Sequence, residues 1–153
     1  MKKFELTAEF VTNVLGKKLF RIKALVAFGD VEKGELGGFI EKEDNLSHDD
    51  NAWVSGNAWV YGNAQVSGNA RVSGNAQVSG NADYAAVAGF GRYSRTTTFF
   101  RCKDKILRVQ CGCFYGDLAQ FREIVKKTHG DSKYAKEYLA IADLMELHFS
   151  DEY

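Results

Sequence analysis

Three groups of residues in this 153-residue chain have the types and spacing to do chemistry. Glu41, Glu43, Asp44, Asp49 and Asp50 surround His48 in the run EKEDNLSHDD. Carboxylates beside an imidazole could hold a divalent metal or set up a general base. The run also reads as a solvated loop, because charge runs face water, and that is the expectation taken forward. Cys102, Cys111 and Cys113 form the second group. Zinc needs four convergent ligands. Cys111-Gly-Cys113 lacks the usual two-residue knuckle spacing, and a fourth ligand would have to be His129 or His148. The thiols are therefore expected as small core hydrophobes. His129 falls between two helical patterns and His148 near a helix end, both capping or surface positions. On this reading the chain has no catalytic residue, no metal set and no cofactor.

The third group is Trp53, Trp59, Tyr61 and Arg71. Large aromatic residues with arginine are the composition of binding surfaces. Trp53 with Arg71 could form a cation–π contact. The alternative is that these residues pack beneath a terminal segment. What positions them is a repeat.

From Asn51 to Ala82 the chain reads NAWVSG NAWVYG NAQVSG NARVSG NAQVSG NA, with a period of six. Val54, Val60, Val66, Val72 and Val78 hold one phase, and Ala52 through Ala82 a second. A strand has period two and a helix 3.6. A period of six needs a short strand and a sharp turn, used again and again. Such a unit cannot bury its own apolar face, but stacked copies can. Val suits the strand, and Gly-Asn supplies the turn. The asparagines would form amide ladders that satisfy turn backbone. His48 falls on the Val phase. Either the register starts after it, or His48 plugs the end of the stack.

The repeat V-S-G-N-A-x is similar to the hexapeptide repeat of left-handed β-helices, in which three hexads make one triangular coil of eighteen residues. The expected architecture is mainly β with α. An N-terminal β cap spans 1–35, a left-handed parallel β-helix of about three coils spans 36–95, and a C-terminal β-hairpin with two α-helices spans 96–153. Coils stacked eighteen residues apart put Trp53 over Arg71, Trp59 over Gln77 and Tyr61 over Ser79. These side chains flank the valines, so they are expected to point outward.

Phe20, Ile22 and Ala24 alternate with Arg21 and Lys23, the pattern of a half-buried strand. Met1 to Val14 fits either a strand or a short helix. In the C-terminal part, a two-residue turn at Asp104-Lys105 would set Cys102 against Leu107, Phe100 against Val109 and Thr98 against Cys111. One face would then carry Phe100, Cys102, Leu107, Val109, Cys111 and Cys113. Asp117 with Gln120 is a capping-box pattern opening a helix that Gly130 ends. A second helix, about Lys133 to Phe149, has a wide apolar stripe, the sign of burial on two sides.

Twenty basic and twenty acidic residues cancel, so there is no electrostatic case for nucleic acid or an anionic membrane. No apolar run reaches membrane-spanning length, and MKKFELTAEF is too mixed for a signal peptide. An odd cysteine count argues against a disulfide framework, and a reducing cytoplasm is the expected setting.

Two families bear on function. Hexapeptide-repeat proteins include acyltransferases that use a His base and an acyl-thioester cofactor, but this chain has no His between Asp49 and Thr128. The motifs F-G-D-V-x-x-G-x-L-G-G-F-I-E before the repeat, and C-G-C-F-x-G and T-H-G-D-S-K-Y-A-K-E-Y-L after it, resemble small proteins of bacteriophages and prophages of Gram-positive hosts. That resemblance implies a non-enzymatic accessory protein in the bacterial cytoplasm that binds a host protein or complex. Inhibition of a defence system such as a CRISPR complex is the role the context suggests. A self-assembling structural protein, dimer or trimer, is the further alternative.

Overall fold

The computed structural model describes residues 2–112 and 114–150. Strands β1 (Phe4–Thr12) and β2 (Lys18–Ala24) form an antiparallel hairpin, which resolves the N-terminal ambiguity in favour of a strand. β2 pairs antiparallel with β3 (Leu36–Ile40). The repeat supplies four strands of two residues each: β4 (Trp53–Val54), β5 (Trp59–Val60), β6 (Arg71–Val72) and β7 (Gln77–Val78). β8 (Tyr84–Phe90), β9 (Arg95–Arg101), β10 (Leu107–Cys111) and β11 (Phe114–Asp117) follow, then α1 (Leu118–His129) and α2 (Lys133–His148).

These strands make three sheets, and the left-handed β-helix of three coils expected over 36–95 is not formed. The sheets are five strands in the order β1-β2-β3-β5-β7, two in the order β4-β6, and four in the order β11-β10-β9-β8. The eighteen-residue step is present as parallel pairing of Trp53 with Arg71, Val54 with Val72, Trp59 with Gln77 and Val60 with Val78. A third side of a coil would need an equivalent row. There the chain makes one isolated bridge, Leu46 to Val66, twenty residues apart, next to a 3₁₀ turn at Glu43–Asn45. The flanks complete the departure. β3 is joined to an antiparallel hairpin, and β8 leaves the repeat for an antiparallel sheet of its own. The row that would close a coil is interrupted, and strand pairing goes to the neighbours instead.

The repeat is nonetheless a core former. Val54, Val60, Val66, Val72 and Val78 are fully buried, and Ala52, Ala58, Ala64, Ala70 and Ala76 lie beside them. Each such valine contributes about 1.5–3 kcal/mol. Gly62 shows how the turn works. Its φ is 62°, and a Cβ there would meet the Ser79 carbonyl oxygen at 2.5 Å. Only glycine fits without strain. Asn45 is the amide that does most for the backbone. Its Oδ1 accepts from the Glu41 and Lys42 N–H groups, and its Nδ2 donates to the Gly62 and Ala64 carbonyls. Asn69 Oδ1 accepts from the Asn51 N–H across the eighteen-residue step.

The four-stranded sheet has both faces buried. Phe100 and Cys102 join the core of the repeat, whereas Phe99 and Val109 join a second core with α1 and α2. This corrects the expected hairpin register by one residue. Leu107 pairs with Arg101, Val109 with Phe99 and Cys111 with Thr97. The loop after Cys102 is wider than two residues, with Lys105 N–H donating to the Cys102 carbonyl and Lys105 at φ 67°. A one-residue shift swaps a strand's faces, so Phe100 and Val109 lie on opposite sides. Cys113 lies outside the described residues.

The helices start where their caps place them. Asp117 Oδ1 accepts from the Gln120 N–H at 2.8 Å, and Gln120 Oε1 accepts from the Asp117 N–H at 2.9 Å. Gly130 at φ 59° ends α1. Ala135, Tyr138, Ile141, Ala142 and Met145 bury one side of α2, with Phe149 just beyond its end. Leu144 and Leu147 are 56% and 72% exposed, so α2 is buried on one side and not two.

Candidate functional site

The acidic run does not gather its carboxylates. His48 is instead a packed residue at the edge of the repeat. Its ring stacks on Phe4 with centroids 4.2 Å apart. Its Nδ1 accepts from the Lys3 backbone N–H at 3.0 Å, and its Nε2 lies 3.0 Å from Glu43 Oε1. The amide fixes Nδ1 as the acceptor, so the ring proton sits on Nε2 and is donated to the carboxylate. Both ring nitrogens are thus occupied. Beside it the Lys3 ammonium donates to the carbonyls of Asp49, Asp50 and Ala52 and lies 4.6 Å from the Phe28 ring. Burial pulls its pKa down to about 8, against the opposing pull of Asp50 and Asp49. The loop is tied to the N-terminal strand by these bonds, which no spacing in the run announced.

Among the described residues, no group of three or more His, Cys, Asp or Glu is placed to hold a metal ion. Cys102 is buried, and burial pushes its thiol pKa up. Cys111 is half-buried and its Sγ accepts from the Thr97 hydroxyl at 3.2 Å. The two pack into different cores, so they cannot share a ligand.

The four residues expected to point outward separate. Trp53 is 1% exposed and packs edge-on against Phe28 with centroids 5.3 Å apart. It packs under the N-terminal segment, which corrects its place on the outer surface. The close approach of Gly37, where a Cβ would lie 2.8 Å from the indole, leaves room for it. Its Nε1–H has no acceptor among the described residues. Arg71 stands in register with Trp53, but its guanidinium pairs with the Asp30 carboxylate. Trp59 is half-buried in a row with Phe39 and Gln77, and the Arg21 guanidinium lies 4.3 Å from the Phe39 ring. Tyr61 is half-buried, its N–H donating to the Val78 carbonyl.

The two most exposed large apolar residues among those described, Val14 and Leu15, lie elsewhere, at the tip of the β1–β2 hairpin. Val14 is fully exposed, Leu15 is 79% exposed and Phe10 is 47% exposed. The turn under them is ordered. Asn13 Oδ1 accepts from the Leu15 and Lys17 N–H groups, each at 3.0 Å. The Asn13 N–H donates to the Lys17 carbonyl, and the Gly16 N–H to the Asn13 carbonyl. Gly16 takes φ 81°. Lys18 Nζ sits 4.8 Å from the Phe10 ring, so cations flank the apolar tip. Sequence reasoning passed over this pair. The available signal was N-V-L-G, two aliphatic residues at the centre of a turn where polar ones serve as well.

The model of the YdcK β-solenoid repeat matches residues 64–80. The chain is therefore a solenoid-like repeat protein over that stretch, which holds β6 and β7 and the valines between Val66 and Val78. No curated protein matches the chain. No helix among the described residues is long and apolar enough to cross a membrane.

Proposed function

We propose that this chain is a non-enzymatic interaction protein that binds a host macromolecule through its hairpin tip. The observation that carries the reading is the presentation of Val14 and Leu15 to solvent on a turn held by four hydrogen bonds. Side chains so displayed add nothing to the fold, and an ordered apolar tip loses little entropy on binding. With Lys17 and Lys18 beside it, the tip fits an apolar cleft with an acidic rim on the partner. Trp59 and Tyr61 supply a second, half-buried aromatic patch. The doubly engaged His48 weighs against an acyltransferase, since a base needs a free acceptor nitrogen. The flanking motifs support the finer form of the reading: a phage accessory protein, with a hexapeptide repeat, acting in the bacterial cytoplasm on a component of host defence such as a CRISPR complex. Self-association is the second reading, favoured by exposed Leu144 and Leu147 on α2.

The test is a pull-down from bacterial lysate with the native chain, Val14→Asp/Leu15→Asp and Trp59→Ala/Tyr61→Ala. A stoichiometric host protein lost with the aspartate variant, at unchanged thermal stability, supports the tip. A protein retained by that variant and lost with the aromatic one moves the site to the repeat. Concentration-dependent mass in light scattering, abolished by Leu144→Lys, selects self-association instead.

A further inference from the structure

The second core is not closed. Between the β8–β9 turn, β10, β11 and the paired helices lies a cleft of about 480 Å³, within the range of small-ligand sites. Its walls are apolar: Phe114, Phe121, Ile124 and Val125, with the Tyr138 ring. Phe121 meets Tyr138 edge-on at 5.8 Å and Phe114 at a tilt at 5.9 Å, so the rings are braced against each other and the cavity is preformed. The Tyr138 hydroxyl is already spent on the Phe90 carbonyl at 3.1 Å. What remains at the mouth is positive. Arg92 and Arg95 line the cleft from the β8–β9 turn, and no acidic residue lines it among those described. Neither arginine is in an ion pair among the described residues. The Arg95 guanidinium lies 5.1 Å from the Tyr93 ring, which holds it at the rim.

We propose that this cleft binds a planar aromatic carboxylate, with the ring among Phe114, Phe121 and Tyr138 and the carboxylate on Arg92 and Arg95. Two guanidiniums lining one apolar cleft favour an anion there, and a guanidinium fork matches a carboxylate. The other side of the cleft, at Thr128 and His129, is the C-terminal end of α1. Its dipole disfavours negative charge, so the head group belongs on the turn side. The site is separate from the hairpin tip and does not depend on the interaction reading.

Calorimetric titration of the full chain with 1-naphthoate, and with uncharged 1-naphthol as the shape-matched control, tests it. Naphthoate should bind one to one and about tenfold tighter than naphthol. In Arg92→Gln/Arg95→Gln, whose side chains are exposed and whose circular dichroism should be unchanged, naphthoate should weaken about tenfold and naphthol by less than about twofold. Cys111 lines the cleft, so saturating naphthoate should slow its alkylation, read by tandem mass spectrometry of the peptide. No binding at millimolar naphthoate, equal affinity for the two probes, equal weakening of both in the variant, or an unprotected Cys111 would each overturn the proposal.

Discussion

Replacing Trp53 separates its two roles in one experiment. The indole is 1% exposed and packed against Phe28 and the backbone of Gly37, so truncation opens a cavity. Trp→Ala in a core costs about 3–5 kcal/mol. At about 2–4 °C per kcal/mol for a chain of this size, Trp53→Ala should melt about 6–20 °C lower. Trp53→Phe is the sharper variant. It gives up about 40 Å² of apolar surface, or about 1 kcal/mol at 25 cal/mol per Å². It also removes an N–H that has no acceptor among the described residues, and a buried unsatisfied donor costs about 1–3 kcal/mol. The two nearly cancel, so Trp53→Phe should lie within about 1 kcal/mol of the native chain, or above it. Urea titration by circular dichroism at 25 °C measures both, at unchanged m-value. A Trp53→Ala variant as stable as the native chain would place the indole outside the core. A Trp53→Phe variant as weak as Trp53→Ala would mean that the N–H is bonded.

Gly62→Ala combines a left-handed φ with a Cβ 2.5 Å from the Ser79 carbonyl, and should cost about 2 kcal/mol or more, mostly by forcing the two turns apart. Gly68→Ala, at φ 63° with nothing within 4 Å of its Cβ, should cost only about 1 kcal/mol; equal losses in the two would refute the steric part. Lys3 makes stability depend on pH. Burial sets its folded pKa near 8, below the unfolded value of about 10.4, so the folded chain gives up the proton first and stability rises with pH across that window. Below about pH 8 the ammonium is charged in both states and that contribution is absent. Lys3→Met should flatten the rise in urea midpoint between pH 7.5 and pH 10, and parallel profiles for the two proteins would contradict it.

The elements that were legible have local causes. The hexad predicts the buried valines and alanines, the glycine turns and the eighteen-residue pairing, because each follows from side-chain shape and turn chemistry within a few residues. The Asp117–Gln120 box and Gly130 bound α1 for the same reason. The aromatic and charged residues were not legible in this way. Trp53 and Trp59 occupy the same place in successive hexads, yet one is buried and the other half-exposed. The difference is Phe28 and Gly37, which come from the segment before the repeat. The acidic run around His48 reads as a solvated loop, yet the ring is held between Glu43 of that run and a backbone amide forty-five residues away.

The short strands and turns of the repeat, the two helices, and the burial of the repeat's valines and alanines follow from the sequence. Those are properties of a six-residue unit or of one helical turn. Tertiary structure alone decided that the repeat does not close into three coils, because the row at Leu46 and Val66 holds a single bridge and β3 and β8 pair with flanking strands instead. It also decided the β9–β10 register, since the loop after Cys102 sets which of Phe99 and Phe100 faces the helices. The hairpin tip and the arginine-rimmed cleft belong to the same class. Each exists only where segments distant in the chain meet, or fail to cover one another, and exposure is a property of the assembled surface.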